Sequence, residues 1–360
     1  LIEECTRRMK SEADDRMKDD FHMRMLDVKL RMAEMVWQRE AFNQLNNLEI
    51  TDGQRGDRAK VERLMREAHA LFQEVHQDVA EWLKQMDDEM GRMTEAGKRY
   101  AAQGFYEKCS VMKDYSLYQT AWTSYYLAFS LPEGAKEKES LLKEAVEKFK
   151  VFALPEGDSQ AKWESYKGLG MCAREQGLFD QAIENLRLAL KSPNQRFNIT
   201  VYYELMQAYL RAKKYADARQ VVEELKGKNL PEMKDHFIGQ TLMPFIDAKI
   251  ALAEGQADPA KKTYALNLMK ELWGRGEFWR NLVSAELGKY VNRNRVEVLK
   301  PFELWVLALE TYGQGLSEDA AENAAEAVKL YQEAAKYFER YLELTPATDA
   351  AHVEALFNLA

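Results

Sequence analysis

Five histidines, three cysteines and 59 acidic side chains are the groups of this 360-residue chain on which acid–base, nucleophilic or metal chemistry would draw. His22, His69, His76, His236 and His352 are scattered, and only His69 and His76 lie near each other in sequence. On a helix those seven residues rise about 10 Å, too far for one metal ion. Neither has a His or acidic residue four positions away to complete a ligand pair. Cys5, Cys109 and Cys172 are odd in number and lack metal-ligand spacing, which fits reduced structural thiols better than a disulfide framework. There is no phosphate-cradling glycine loop, no nucleophile elbow and no HExxH helix. Gly274-Arg275-Gly276 is too short for a nucleotide loop and reads as a helix break. The expectation is a chain that is not an enzyme, with no catalytic residue, no metal and no cofactor.

The elements that position any remaining function are helices. The sequence is 46% hydrophobic and 31% charged, with only 8 prolines and 18 glycines, and Ala, Leu, Glu, Lys, Met and Arg dominate. Such a composition favours an all-α fold. The net charge of −8 divides evenly between residues 1–104 and the remainder, so no basic face is implied and nucleic acid is not an expected partner. No run of 18 apolar residues is present, so no membrane span is expected. The sequence begins at Leu1 and ends inside an apparent helix at Ala360. It reads as a fragment or processed product, which leaves cytoplasm and periplasm both open.

The clearest pattern lies in residues 163–196 and 199–232. In the first, Tyr166, Leu169 and Ala173 share one helix face, with Gly170 at a close helix contact. Gly177 stands where a left-handed residue stops the helix, Asp180 can cap or charge-stabilise the next, and Ala182, Leu186 and Ala189 form its inner stripe before Pro193. In the second, Tyr202, Leu205, Met206 and Tyr209 precede Tyr215, Ala218, Val222, Leu225 and Pro231. This ordered return resembles the tetratricopeptide repeat (TPR), a helix–turn–helix unit that stacks into a superhelix because one hairpin cannot cover its own apolar face.

The resemblance implies an α-α superhelix over residues 105–360, with a partial unit at 315–348 and a last helix cut short. It also implies a concave groove lined by the first helix of each hairpin. Carried residue by residue, the groove positions are Glu164, Lys167, Met171 and Arg174 in one unit and Thr200, Tyr203, Gln207 and Arg211 in the next. The family's carboxylate-clamp version uses Lys and Asn. Here Lys167 is present, but Met171 and Gln207 stand where Asn is expected, which speaks against that mode. A mixed Lys/Arg/Glu/Tyr groove suits an extended or helical segment of a partner protein. The competing reading is a plain solvated surface.

Residues 1–104 read as a long antiparallel helical hairpin. A heptad seam with one stutter runs through Val61, Met65, Ala68, Phe72, Val75, Val79, Trp82, Met86, Met90, Met93, Gly97 and Tyr100. The preceding helix carries two apolar stripes, one through Met23, Leu26, Leu30, Ala33 and Trp37, the other through Phe21, Met25, Val28, Met32 and Met35. Before Met17 the chain is highly charged and is expected to fray or project. Residues 51–57 form the turn, with Asp57 as cap. In residues 105–160, Tyr115, Tyr118, Trp122, Tyr125, Tyr126 and Phe129 share a helix face that is either core or a ligand groove. Further on, Gly313-Gln314-Gly315 is expected to close a helix beginning near Phe302, and Ser317 to cap the next.

Two functions follow as expectations. One is a non-catalytic scaffold that binds a protein or peptide through the concave face. The other is a structural subunit of a larger, bacterial-envelope-type assembly, dimerising through residues 1–104.

Overall fold

The computed structural model describes residues 2–11, 14–41, 45, 58–132, 134–154, 158–234, 242–255, 258–290, 296–320, 323–348 and 350–359. Among the described residues the fold is all-α, with sixteen α-helices, one π-helical turn, two 3-10 turns and no strand. Packing divides the chain into two compact units, Leu1–His236 and Phe237–Ala360. The division expected at residue 104 therefore falls inside the first unit. The turn expected at 51–57 and the connector at 292–295 lie outside the described residues.

In the first unit, α1 (Ile2–Ser11) packs back on α2 (Asp15–Met35), whose start is capped by Asp14, its carboxylate accepting from the Arg16 N–H at 2.9 Å. The expectation that this end frays or projects is corrected. Cys5 is buried, the Thr6 hydroxyl lies 3.5 Å from the Met25 sulfur, and the Arg8 guanidinium sits 5.6 Å over the Phe21 ring. The π-helical turn Val36–Ala41 continues α2.

The seam helix α3 (Arg58–Gly91) buries Val61, Met65, Ala68, Phe72, Val75, Val79, Trp82 and Met86, as the heptad reading required. Its main partner is nevertheless α5 (Phe105–Ser130), with α2 alongside. The continuous rod to Tyr100 is also corrected. The helix stops at Gly91, Met93 adopts φ +53° and is exposed, and Thr94 caps the short α4 (Glu95–Gln103) by accepting from the Gly97 N–H at 3.0 Å.

Next come α6 (Lys136–Phe152), α7 (Gln160–Glu175), α8 (Phe179–Ala189), α9 (Gln195–Arg211) and α10 (Tyr215–Gly227), each packed on its neighbours in sequence. The hairpins α7–α8 and α9–α10 turn alike. Gly177 (φ +75°) and Lys213 (φ +58°) hold the left-handed position. In each turn the next N–H reaches back, Leu178 to the Ala173 carbonyl at 2.8 Å and Lys214 to the Tyr209 carbonyl at 2.9 Å. Ala182, Leu186 and Ala189 are buried in one hairpin, and Ala218, Val222 and Leu225 in the other. Of the two roles open to Asp180, it does not cap α8, which has no side-chain cap, but it does place a negative charge in that helix's first turn; its carboxylate also meets the Lys214 ammonium of the next hairpin at 2.8 Å in an exposed pair.

The second unit runs α11 (Met243–Glu254), α12 (Pro259–Trp273), α13 (Glu277–Tyr290), α14 (Pro301–Ala320), α15 (Ala324–Leu344) and α16 (Ala350–Leu359). Its core includes Leu304, Trp305, Ala308, Ala334, Phe338 and Tyr341. The stop expected at Gly313-Gln314-Gly315 does not occur, because α14 runs through it. Gly315 serves packing instead: a Cβ there would stand 2.7 Å from the Tyr331 ring. Ser317 accordingly lies inside α14 rather than capping the next helix, and Asn323 precedes α15.

Candidate functional site

The aromatic spacing in α5 places Trp122, Tyr125 and Phe129 in the core, while Tyr118 and Tyr126 stay half-buried at its edge. Trp37, on the π-helical turn, lies against that edge, its ring centroid 5.0 Å from Tyr126. Tyr126 in turn stacks on Trp122 at 5.9 Å, and Trp122 meets Tyr118 edge-on at 6.5 Å. These four rings, with Gln119 and Phe197, line an open cavity of about 270 Å³. Two charged side chains from α7, Glu164 and Lys167, complete the lining. Being three apart on one helix, they face the cavity together.

Glu164 is held in place. The Tyr118 hydroxyl donates to one carboxylate oxygen, and the Gln160 amide donates to the other at 2.9 Å. Burial, and then the adjacent Glu164 charge, push the Tyr118 phenol well above its usual range, so it stays a donor. Below it, Tyr115 donates to Glu34 at 2.8 Å and is pushed up to about 12, mostly by burial.

The other expected groove residues are placed differently. Met171, Arg174, Tyr203 and Gln207 are buried. The Arg174 guanidinium pairs with Glu204 and lies 3.4 Å from the Tyr125 hydroxyl of α5. Its neighbour Glu175 accepts from Arg211 at 2.9 Å and faces the Lys138 ammonium at 3.8 Å. This is an ion cluster joining α6, α7 and α9, and buried charge of this kind is tolerated only when paired. Gln207 donates to the Tyr203 hydroxyl at 2.9 Å, and the half-buried Thr200 donates to the Phe197 carbonyl within its own helix. The eight positions therefore do not form one open row. Glu164 and Lys167 enter the aromatic cavity, Met171 and Arg174 enter the core, and Arg211 edges the ion cluster.

Trp37 and Phe197 were not singled out as site residues by sequence reasoning. The spacing of the α5 rings puts them on one face, but no local signal says that a residue 81 positions before Tyr118 packs beside them. Only the π-helical turn at Trp37 marks the place, and such turns concentrate at functional sites.

Elsewhere the titratable groups are packed away. Burial raises the Cys109 thiol to about 12 and raises Cys172 further, the opposite of an activated thiol. Burial also lowers His22, His69 and His76 below their ordinary value. His69 shares a 3.1 Å hydrogen bond between its Nδ1 and the Thr123 hydroxyl. Among the described residues no group of three or more His, Cys, Asp or Glu is arranged to hold a metal, and no helix is long and apolar enough to cross a membrane.

No protein-family model matches the chain, and no curated protein matches it closely enough to count as a relative.

Proposed function

We propose that the chain is a non-catalytic scaffold that grips a segment of a partner protein, and that the aromatic cavity at the junction of α5, α7 and the π-helical turn is where it grips. The observation that carries this reading is the cavity itself: three half-buried rings, the buried Trp122 behind them and two charged side chains converging on open space. Aromatic anchors dominate the energetics of protein recognition, since they add large contact area at small entropic cost. In this reading α7–α8 and α9–α10 are TPR-like units. Their shared left-handed turns, and the burial of Ala182 and Ala218 at equivalent places, support that. The binding face is then narrower than a full concave groove, because Arg174, Tyr203 and Gln207 are committed to the interior.

A displayed library of random peptides selected on the whole chain tests this. Enriched peptides are expected to lose binding to chains carrying Trp37→Ala or Glu164→Gln. Equal binding to these variants would place the recognition surface elsewhere.

A second reading, a structural subunit that self-associates, is favoured by two separate apolar features of α2. Met32 and Met35 of α2 are exposed, and between α2 and α5 lies a depression of about 510 Å³ formed by Met23, Val111 and Met112 with flanking charges. Met-rich faces suit association. If this reading holds, light scattering gives an oligomer that Met32→Glu with Val111→Glu converts to monomer. A monomer at every concentration retires it.

A further inference from the structure

We infer that the aromatic cavity selects a cationic side chain, the guanidinium of arginine or the ammonium of lysine, on the bound segment; this rests on the cavity being the binding site proposed above. Three observations converge. The first is the ring wall: Trp37, Tyr126, Trp122 and Tyr118 form a continuous series of ring contacts, each centroid 5.0–6.5 Å from the next. Ring faces attract cations, tryptophan most strongly. The second is the fixed carboxylate. Glu164 lines the same cavity, and the donors that hold it, Tyr118 and Gln160, are both neutral. They orient the charge without cancelling it, which leaves the carboxylate a cation to attract. The third is the contrast with the neighbouring ion cluster. There every carboxylate named already faces an arginine or lysine, Glu204 facing Arg174 and Glu175 facing Arg211. Among the described residues no arginine or lysine is paired with Glu164, although Lys167 lines the same cavity.

Lys167 lines the cavity as well and carries the competing charge. Its ammonium sits on a long flexible stem that can swing to solvent, whereas Glu164 is pinned at both oxygens. The lysine therefore weakens but does not reverse the preference. It also gives a diagnostic: removing it should improve cation binding and impair anion binding.

The probes are N-acetyl-arginine methylamide, the citrulline analogue of the same shape without charge, and the glutamate analogue. Each is titrated into the whole chain, and the indole N–H resonances of Trp37 and Trp122 are read by NMR, with assignments made from Trp37→Phe. The expected result is a saturable shift with arginine. Citrulline should bind at least about tenfold more weakly, the usual scale for losing a charged hydrogen-bond partner. Glu164→Gln should shrink that difference to what the rings alone supply, and Lys167→Met should tighten arginine about two- to fivefold, the scale of one exposed charge. If arginine and citrulline bind alike, or if glutamate binds best and Lys167→Met loses it, the cation claim is overturned while the cavity remains a binding site. If no probe moves either indole, the cavity reading fails with it. Far-UV circular dichroism of each variant establishes that the fold is retained.

Discussion

Arg174 shows what a single side chain does in this protein. Its guanidinium joins Glu204 of α9 and approaches Tyr125 of α5, and it is almost wholly buried. Replacing it with methionine leaves Glu204 without the guanidinium it pairs with inside the fold, which should cost about 3–5 kcal/mol in urea unfolding. An exposed groove arginine would cost under about 0.5 kcal/mol. Gly170 is similarly constrained, since a Cβ there would stand 2.6 Å from Leu186 Cγ. Gly170→Ala is therefore expected to destabilise by about 1–3 kcal/mol despite improving helix propensity. The Gly170 contact was legible in the sequence, because small residues at that place in a hairpin have one evident use. The burial of Arg174 was not, because the charge of an arginine says nothing about which distant carboxylate meets it.

The histidines give a pH dependence at the same scale. Folding lowers His22, His69 and His76 from their ordinary 6.5, chiefly by burial. The unfolded chain then binds more protons than the folded one as pH drops through about 6.5. Their contribution is present in full above that pH and is lost progressively below it. The groups around His69 are Glu144, which opposes the shift, and Lys148 and Arg66, which reinforce it. Urea midpoints should fall from pH 7 to pH 5, and His69→Gln should flatten the fall. A midpoint independent of pH over that range would contradict the account.

At the scale of the element, periodicity was a good guide to which helices exist and a poor guide to where they stop. The seam of α3 was readable because eight apolar residues recur at steps of three and four, and all eight are buried. Its partner was not readable, because a stripe shows that a face is covered without showing by what; α5, not α2 alone, covers it. The glycines of α14 show the converse error. Gly313 has open space where a Cβ would go, whereas Gly315 faces the Tyr331 ring. Because α14 is continuous, Gly313→Ala should stabilise by up to about 1 kcal/mol and Gly315→Ala should destabilise. Thermal unfolding of the two variants checks this, and a loss of stability at Gly313→Ala would place a break there after all.

At the scale of the whole molecule, the first unit brings α2, α3 and α5 into one core with α6 and α7. Residues 1–104 are thus part of the body that shapes the cavity, and Trp37 enters the cavity from them. That arrangement links the two functional readings. A partner gripped by the cavity touches both the amino-terminal helices and α7, while self-association would use the outer methionine face of α2. The all-α class was legible from composition alone. The cavity was not, because it is made where segments distant in sequence cross.

Hydrogen–deuterium exchange of the whole chain, with and without a library-selected peptide, tests the central claim most directly. The account predicts slowed exchange confined to residues 36–41, 118–126, 160–168 and 195–199, which carry the cavity lining. Slowed exchange on α2 away from the cavity, or in the second unit alone, would contradict it.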